Sequence, residues 1–132
     1  FIIVLRDPRD NLLSIYRNKF ADNTHLYAYN LENLGTYYKQ FLRIMDFWRN
    51  KMPEGFIEIN YEDLINDPET HAQKLINYCN LDWENECLEF YKSERQVKTL
   101  SILQVRQPIY KSSVKAWQRY EQDLQPLFKA IE

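Results

Sequence analysis

Phe1-Ile2-Ile3-Val4-Leu5-Arg6-Asp7-Pro8-Arg9-Asp10 opens the chain and decides how the rest is read. Its first five residues are an unbroken β-branched, aliphatic and aromatic run, the pattern of a strand buried on both faces of a parallel sheet. An arginine follows at once. Pro8 then sits where a first helical turn begins, and Leu12, Leu13, Tyr16 and Phe20 give the segment Asp10 to Phe20 one apolar side. Strand, arginine and helix start within a few residues describe the carboxyl edge of an open α/β sheet, where ligands bind.

Working outward, one further strand is convincing, Phe56-Ile57-Glu58-Ile59. Two strands are fewer than a doubly buried strand requires. The reading therefore expects further strands before Phe1 and takes the chain as the C-terminal portion of a longer α/β protein. The remainder is mainly helical. Leu31, Leu34, Tyr38, Phe41, Met45 and Trp48 alternate three and four apart, an amphipathic helix that should end before Pro53 and Gly55 and pack into a core. Asp67 with Pro68 starts another helix, whose apolar face is Ala72, Leu75, Ile76 and Cys79. Asp82 is expected to cap a short helix through Tyr91. Ala21 to Asn30 and Lys92 to Tyr110 read as loops, and helical pattern returns at Val114 to Tyr120 and from Leu124 onward.

Composition bounds the chemistry. The 132 residues amount to one domain, and they contain only two glycines, Gly35 and Gly55, against an average usage of about 7%. A phosphate loop or a G-x-G-x-x-G turn needs more, so neither lies within this chain. A net charge of −2 argues against broad nucleic-acid binding. The longest strictly apolar run, Phe1 to Leu5, is far short of a membrane span. Cys79 and Cys87 lack C-x-x-C spacing and a nearby histidine, so no metal site is expected. Two buried free thiols suit a reducing compartment, the cytoplasm.

Three segments carry chemistry. In the first, Arg6 offers a two-pronged donor beside a helix N-terminus, and Ser14 lies one turn beyond Asp10. The competing reading pairs Arg6 with Asp7 or Asp10. The second, Asn60-Tyr61-Glu62-Asp63-Leu64, again follows a strand, and there a tyrosine can stack on a base while Asp63 caps the next turn. With ten tyrosines in the chain, a packing role for Tyr61 competes. The third, Gln104 to Trp117, brings the donors of Arg106, Lys111, Ser112 and Ser113 into one loop that leads into a helix, either a lid over an anion or a solvated basic loop.

In this order and spacing, Arg6-Asp7-Pro8-Arg9-Asp10 with Ser14, Tyr61-Glu62-Asp63-Leu64, and Tyr110-Lys111-Ser112-Ser113-Val114 with Trp117 resemble the sulfotransferases, most closely the bacterial type often fused to tetratricopeptide repeats. The likeness runs from Phe1 to about Leu127. It implies a P-loop-NTPase-like, three-layer α/β fold with a parallel sheet, of which residues 1–132 form a helix-rich C-terminal part of a sulfotransferase domain. It also implies 3′-phosphoadenosine 5′-phosphosulfate (PAPS) as donor and a hydroxyl or amine as acceptor. By that likeness Arg6 and Ser14 bind the 3′-phosphate, Tyr61 contacts adenine, and Lys111, Ser112 and Arg106 close over the nucleotide. Thr99 and Ser101 fall near a segment that lines it. Cytosolic members carry Arg-Lys-Gly where this chain has Tyr110-Lys111-Ser112.

The 5′-phosphosulfate loop and the catalytic base of the family lie before the arginine strand and match nothing here. His25 and His71 do not fit the base and are expected at the surface. The chain is thus expected to supply the 3′-phosphate and adenine half of a sulfotransferase and to be inactive alone. The alternative is a non-catalytic helical module whose stripe from Tyr38 to Trp48 docks a partner, a second copy of the chain among the candidates.

Overall fold

The computed structural model of the chain describes residues 1–20, 24–93 and 104–132. Thr99 and Ser101 lie outside the described residues. The chain divides into two compact units, residues 1–5 with 57–112 and residues 6–56 with 113–132.

The first unit is built on a two-stranded parallel sheet. β1 (Ile2–Leu5) pairs with β2 (Ile57–Asn60) in the register Ile2 to Ile57 through Leu5 to Asn60. Parallel pairing requires a crossover, which residues 6–56 supply, and this is the hallmark of an α/β chain. β2 runs directly into α3 (Tyr61–Asn66), followed by α4 (Pro68–Tyr78). The Asp67 side chain accepts the Thr70 N–H at 3.3 Å, so the expected cap of α4 forms. Asn80, left-handed at φ 55°, stops that helix, as asparagine tolerates.

Several expectations about this unit are corrected. Among the described residues Ile2 and Val4 of β1 are exposed and Ile3 and Leu5 half-buried, and the double burial expected of β1 calls for strands that these residues do not include. The pleat sends alternate residues to opposite faces, and no described residue covers the Ile2/Val4 side. Asp82 caps nothing; a 3-10 helix with a kink at Glu89 spans Asn85–Lys92, its N-cap being Glu84 without a side-chain bond. Asp63 does not cap either, but accepts the Asn60 side-chain amide at 3.2 Å within the first turn of α3. Both cysteines are free thiols as expected, yet Cys79, the C-cap of α4, is exposed and Cys87 is half-buried.

The second unit is helical. α1 (Pro8–Arg17) is capped by Asp7, whose carboxylate accepts the Arg9 N–H at 2.9 Å. It stops short of Phe20. Asn30 caps α2 (Leu31–Lys51) through the Asn33 N–H at 2.9 Å. A 3-10 turn at Ala116–Tyr120 and α5 (Gln125–Ile131) complete the unit. Leu12, Leu13, Leu34, Trp117, Leu124 and Leu127 form its buried core. Buried apolar side chains contribute roughly 1.5–3 kcal/mol each, so this cluster is the main stabilising term of the unit.

The α2 stripe splits. Leu34 and Met45 are buried, Leu31, Tyr38 and Phe41 half-buried, and Trp48 exposed. Core packing therefore holds for most of the stripe and fails at its far end. Gly35 is buried at the α2–α5 crossing, where a β-carbon would overlap that of Ala130. One of the two glycines thus serves helix contact rather than a turn.

Candidate functional site

The six residues singled out from the sequence fall into two sets. Arg6 and Ser14 belong to the helical unit; Tyr61, Arg106, Lys111 and Ser112 belong to the sheet unit. Within each unit the surroundings are specific.

In the helical unit, the five residues from Arg6 to Asp10 place four charges, and each has a defined contact. Arg9 embraces the Asp7 carboxylate with two prongs, Nε to Oδ1 at 3.0 Å and Nη2 to Oδ2 at 2.7 Å. Burial pushes the Asp7 carboxyl up, but the hydrogen bonds from the Arg9 side chain and backbone, with the Arg9 charge, outweigh it and hold the group below the usual carboxylate range. The Arg9 guanidinium is raised by its hydrogen bond to Asp7 and lies 3.9 Å over the Trp117 ring. Asp10 is only 2% exposed and accepts the N–H groups of Lys115 at 2.6 Å and Trp117 at 2.9 Å. Arg6, half-buried, donates from Nη2 to the Ser113 carbonyl at 2.6 Å. Trp117 meets Phe128 edge-on, and its indole N–H is buried with no hydrogen-bond acceptor among the described residues. Ser14 is exposed on α1 while Asp10, one turn earlier, is buried.

In the sheet unit, Tyr61 opens α3 and is half-buried in the wall of a cavity of about 360 Å³. Leu64, Ile65, Leu88, Ile109 and Tyr110 share that wall, so the space is apolar with tyrosine rings on it. Val105 and Gln107 also line it and flank Arg106, which is exposed at the end of a short 3-10 turn, Gln104–Arg106. Lys111 and Ser112 are exposed directly after Tyr110. This arrangement suits a planar apolar group with anion donors nearby in the same segment.

Neither histidine is a plain surface residue. His25 is half-buried, edge-on to Phe20 at 4.8 Å, and His71 is half-buried with Nδ1 3.0 Å from the Asp67 carbonyl. Among the described residues there is no cluster of side chains able to hold a metal, and no helix is long and apolar enough to cross a membrane. Sequence reasoning missed the contacts of Asp10 and Arg9. The alternating charges around Pro8 hinted that each had a job, but not with what.

Over residues 1–85, more than half of its length, the chain matches the family model described as the sulfotransferase family, and it belongs to that family. It is also 37% identical, over 129 residues, to an uncharacterized protein of Aquifex aeolicus (strain VF5). That alignment takes in 96% of this chain but 17% of the relative, so the chain spans about a sixth of that protein's length. No solved structure matches the chain.

Proposed function

We propose that the protein transfers a sulfuryl group from PAPS to a hydroxyl or amine acceptor, and that residues 1–132 supply its 3′-phosphate and adenine half. In that reaction the acceptor oxygen or nitrogen attacks sulfur while the bond from sulfur to the 5′-phosphate oxygen breaks. Adenosine 3′,5′-bisphosphate leaves, and the acceptor's proton passes to a base. Catalysis is positioning plus stabilisation of charge on the leaving phosphate. Arg6 and Ser14 take the 3′-phosphate, Tyr61 meets the adenine at the apolar cavity, and Lys111, Ser112 and Arg106 add donors from the late loop. No metal is required. The three-layer P-loop-like sheet, with its phosphate loop before β1, and the cytoplasmic location belong to the same proposal.

The observation that carries it is the guanidinium of Arg6, fixed by the Ser113 carbonyl at the entrance to a helix in a chain of this family. A charge-assisted phosphate contact contributes roughly 1.5–3 kcal/mol, so Arg6→Ala should weaken binding of adenosine 3′,5′-bisphosphate by tenfold or more in calorimetry. Tyr61→Ala should weaken adenosine 5′-monophosphate as well, since it acts on the base. Unchanged bisphosphate affinity in Arg6→Ala removes the arginine from the site.

One observation favours a second role as an interaction module. Ile44, Phe47 and Trp48 on α2 are 56%, 52% and 44% exposed. Self-association that is lost in Phe47→Ser supports a second copy on this face; a monomer unaffected by the change argues against it.

A further inference from the structure

The geometry points to Asp10 as a positioning residue for Arg6: it holds the turn Ser113–Trp117, and that turn fixes the arginine. The inference rests on Arg6 being the 3′-phosphate contact. Asp10 and Arg6 hold groups of opposite polarity on one five-residue segment. The buried carboxylate takes the N–H groups of Lys115 and Trp117, while the guanidinium gives to the carbonyl of Ser113.

Three features make this a bracket rather than incidental packing. A carboxylate that is 2% exposed is costly unless its oxygens are satisfied, and an apolar side chain in its place would leave the Lys115 and Trp117 N–H groups unmet. What the charge adds is direction, because its two oxygens each meet a separate backbone donor. Lys115 is held in a left-handed conformation at φ 57°, which a lysine adopts only when its surroundings impose it. Finally, Arg9 lies over the Trp117 ring and is itself gripped by Asp7, so the far end of the turn is clamped too.

The consequence is preorganisation. An arginine side chain gives up rotamer freedom when it is fixed, and here that ordering precedes ligand binding. Five N–H donors let one guanidinium hold a carbonyl and an anion together. Asp10 never touches the ligand; it acts through Ser113 and Arg6.

The test compares adenosine 3′,5′-bisphosphate with adenosine 5′-monophosphate by calorimetry on the full-length protein. Asp10→Asn should lower the preference for the bisphosphate on the order of threefold to tenfold while leaving the monophosphate unchanged. In an Arg6→Ala background the same change should have no further effect. Gly35→Ala, which disturbs the same unit elsewhere, should preserve the preference. Additive losses, or an equal loss in Gly35→Ala, overturn the inference in favour of plain stability. A wild type that binds both nucleotides equally overturns the nucleotide reading instead. The bracket is then judged by amide exchange at Lys115 and Trp117, which Asp10→Asn should accelerate; unchanged exchange overturns it.

Discussion

Gly35 of α2 and Ala130 of α5 meet so closely that a methyl group on Gly35 would occupy the space of the Ala130 methyl. The Ala130 backbone lies just behind, its carbonyl carbon 3.1 Å from where that methyl would stand. A side-chain rotation cannot relieve the overlap; one helix has to move. Alanine gains about 1 kcal/mol of helix propensity over glycine, but overpacking costs about 1–3 kcal/mol. Gly35→Ala is therefore expected to lower stability by up to about 2 kcal/mol. A rise in the urea midpoint would show that the crossing is looser than described.

The left-handed Lys115 gives the opposite expectation. A non-glycine residue there costs roughly 1–2 kcal/mol, and glycine's extra unfolded-state freedom returns roughly 0.5–1 kcal/mol of that. Lys115→Gly keeps the N–H that Asp10 accepts, so it should stabilise the protein by about 0.5–1 kcal/mol. Thermal melts of the two forms decide it, and a lower midpoint counts against the strain.

Acid should remove the Asp7 contribution. Its folded-state pKa is depressed, so the stabilisation is present above the unfolded value near 3.8 and fades as pH falls through the folded one. Arg9 is 41% exposed, so solvent screening limits the pair to at most about 1 kcal/mol. Asparagine is as good a helix cap, so Asp7→Asn isolates the pair from the cap. The wild type should exceed Asp7→Asn in urea stability at neutral pH, and the gap should close in acid. A gap that widens there contradicts the sign.

Trp117 combines a valuable ring with a buried N–H that no described residue accepts. Leaving such a donor unmet costs about 1–3 kcal/mol. Trp117→Phe sheds that cost and keeps an aromatic face for Arg9, so its stability should stay within about 1 kcal/mol of the wild type. Trp117→Ala should lose about 3–5 kcal/mol. Equal losses in the two variants would mean that the N–H has found a partner.

Local signals account for what the sequence made legible. The β-branched runs at Ile2–Leu5 and Ile57–Asn60, the periodicity over Leu31–Lys51 and the Asp67-Pro68 start each act within a few residues, and each element formed. What escaped depends on distant partners. Composition marks β1 as a strand that needs cover on both faces, but burial is decided by what covers it, and among the described residues Ile2 and Val4 are exposed. The Asp82 cap failed because a 3-10 helix took the place of the expected regular turn. Arg6 and Tyr61 were singled out from their places after strands. Asp10 stood out only as a charge near proline, since its two donors come from the far end of the sequence.

Asp10 meets its donors across 105 and 107 positions, and that separation orders events as the chain folds. Closing so long a loop costs more entropy than any helical turn, and it waits on everything between. During synthesis α1 is complete long before Ser113 is made, so its first turn carries an unsheltered carboxylate while most of the chain emerges. The contact closes late. Grip on the arginine is thus gained only when the last segment of the helical unit has docked.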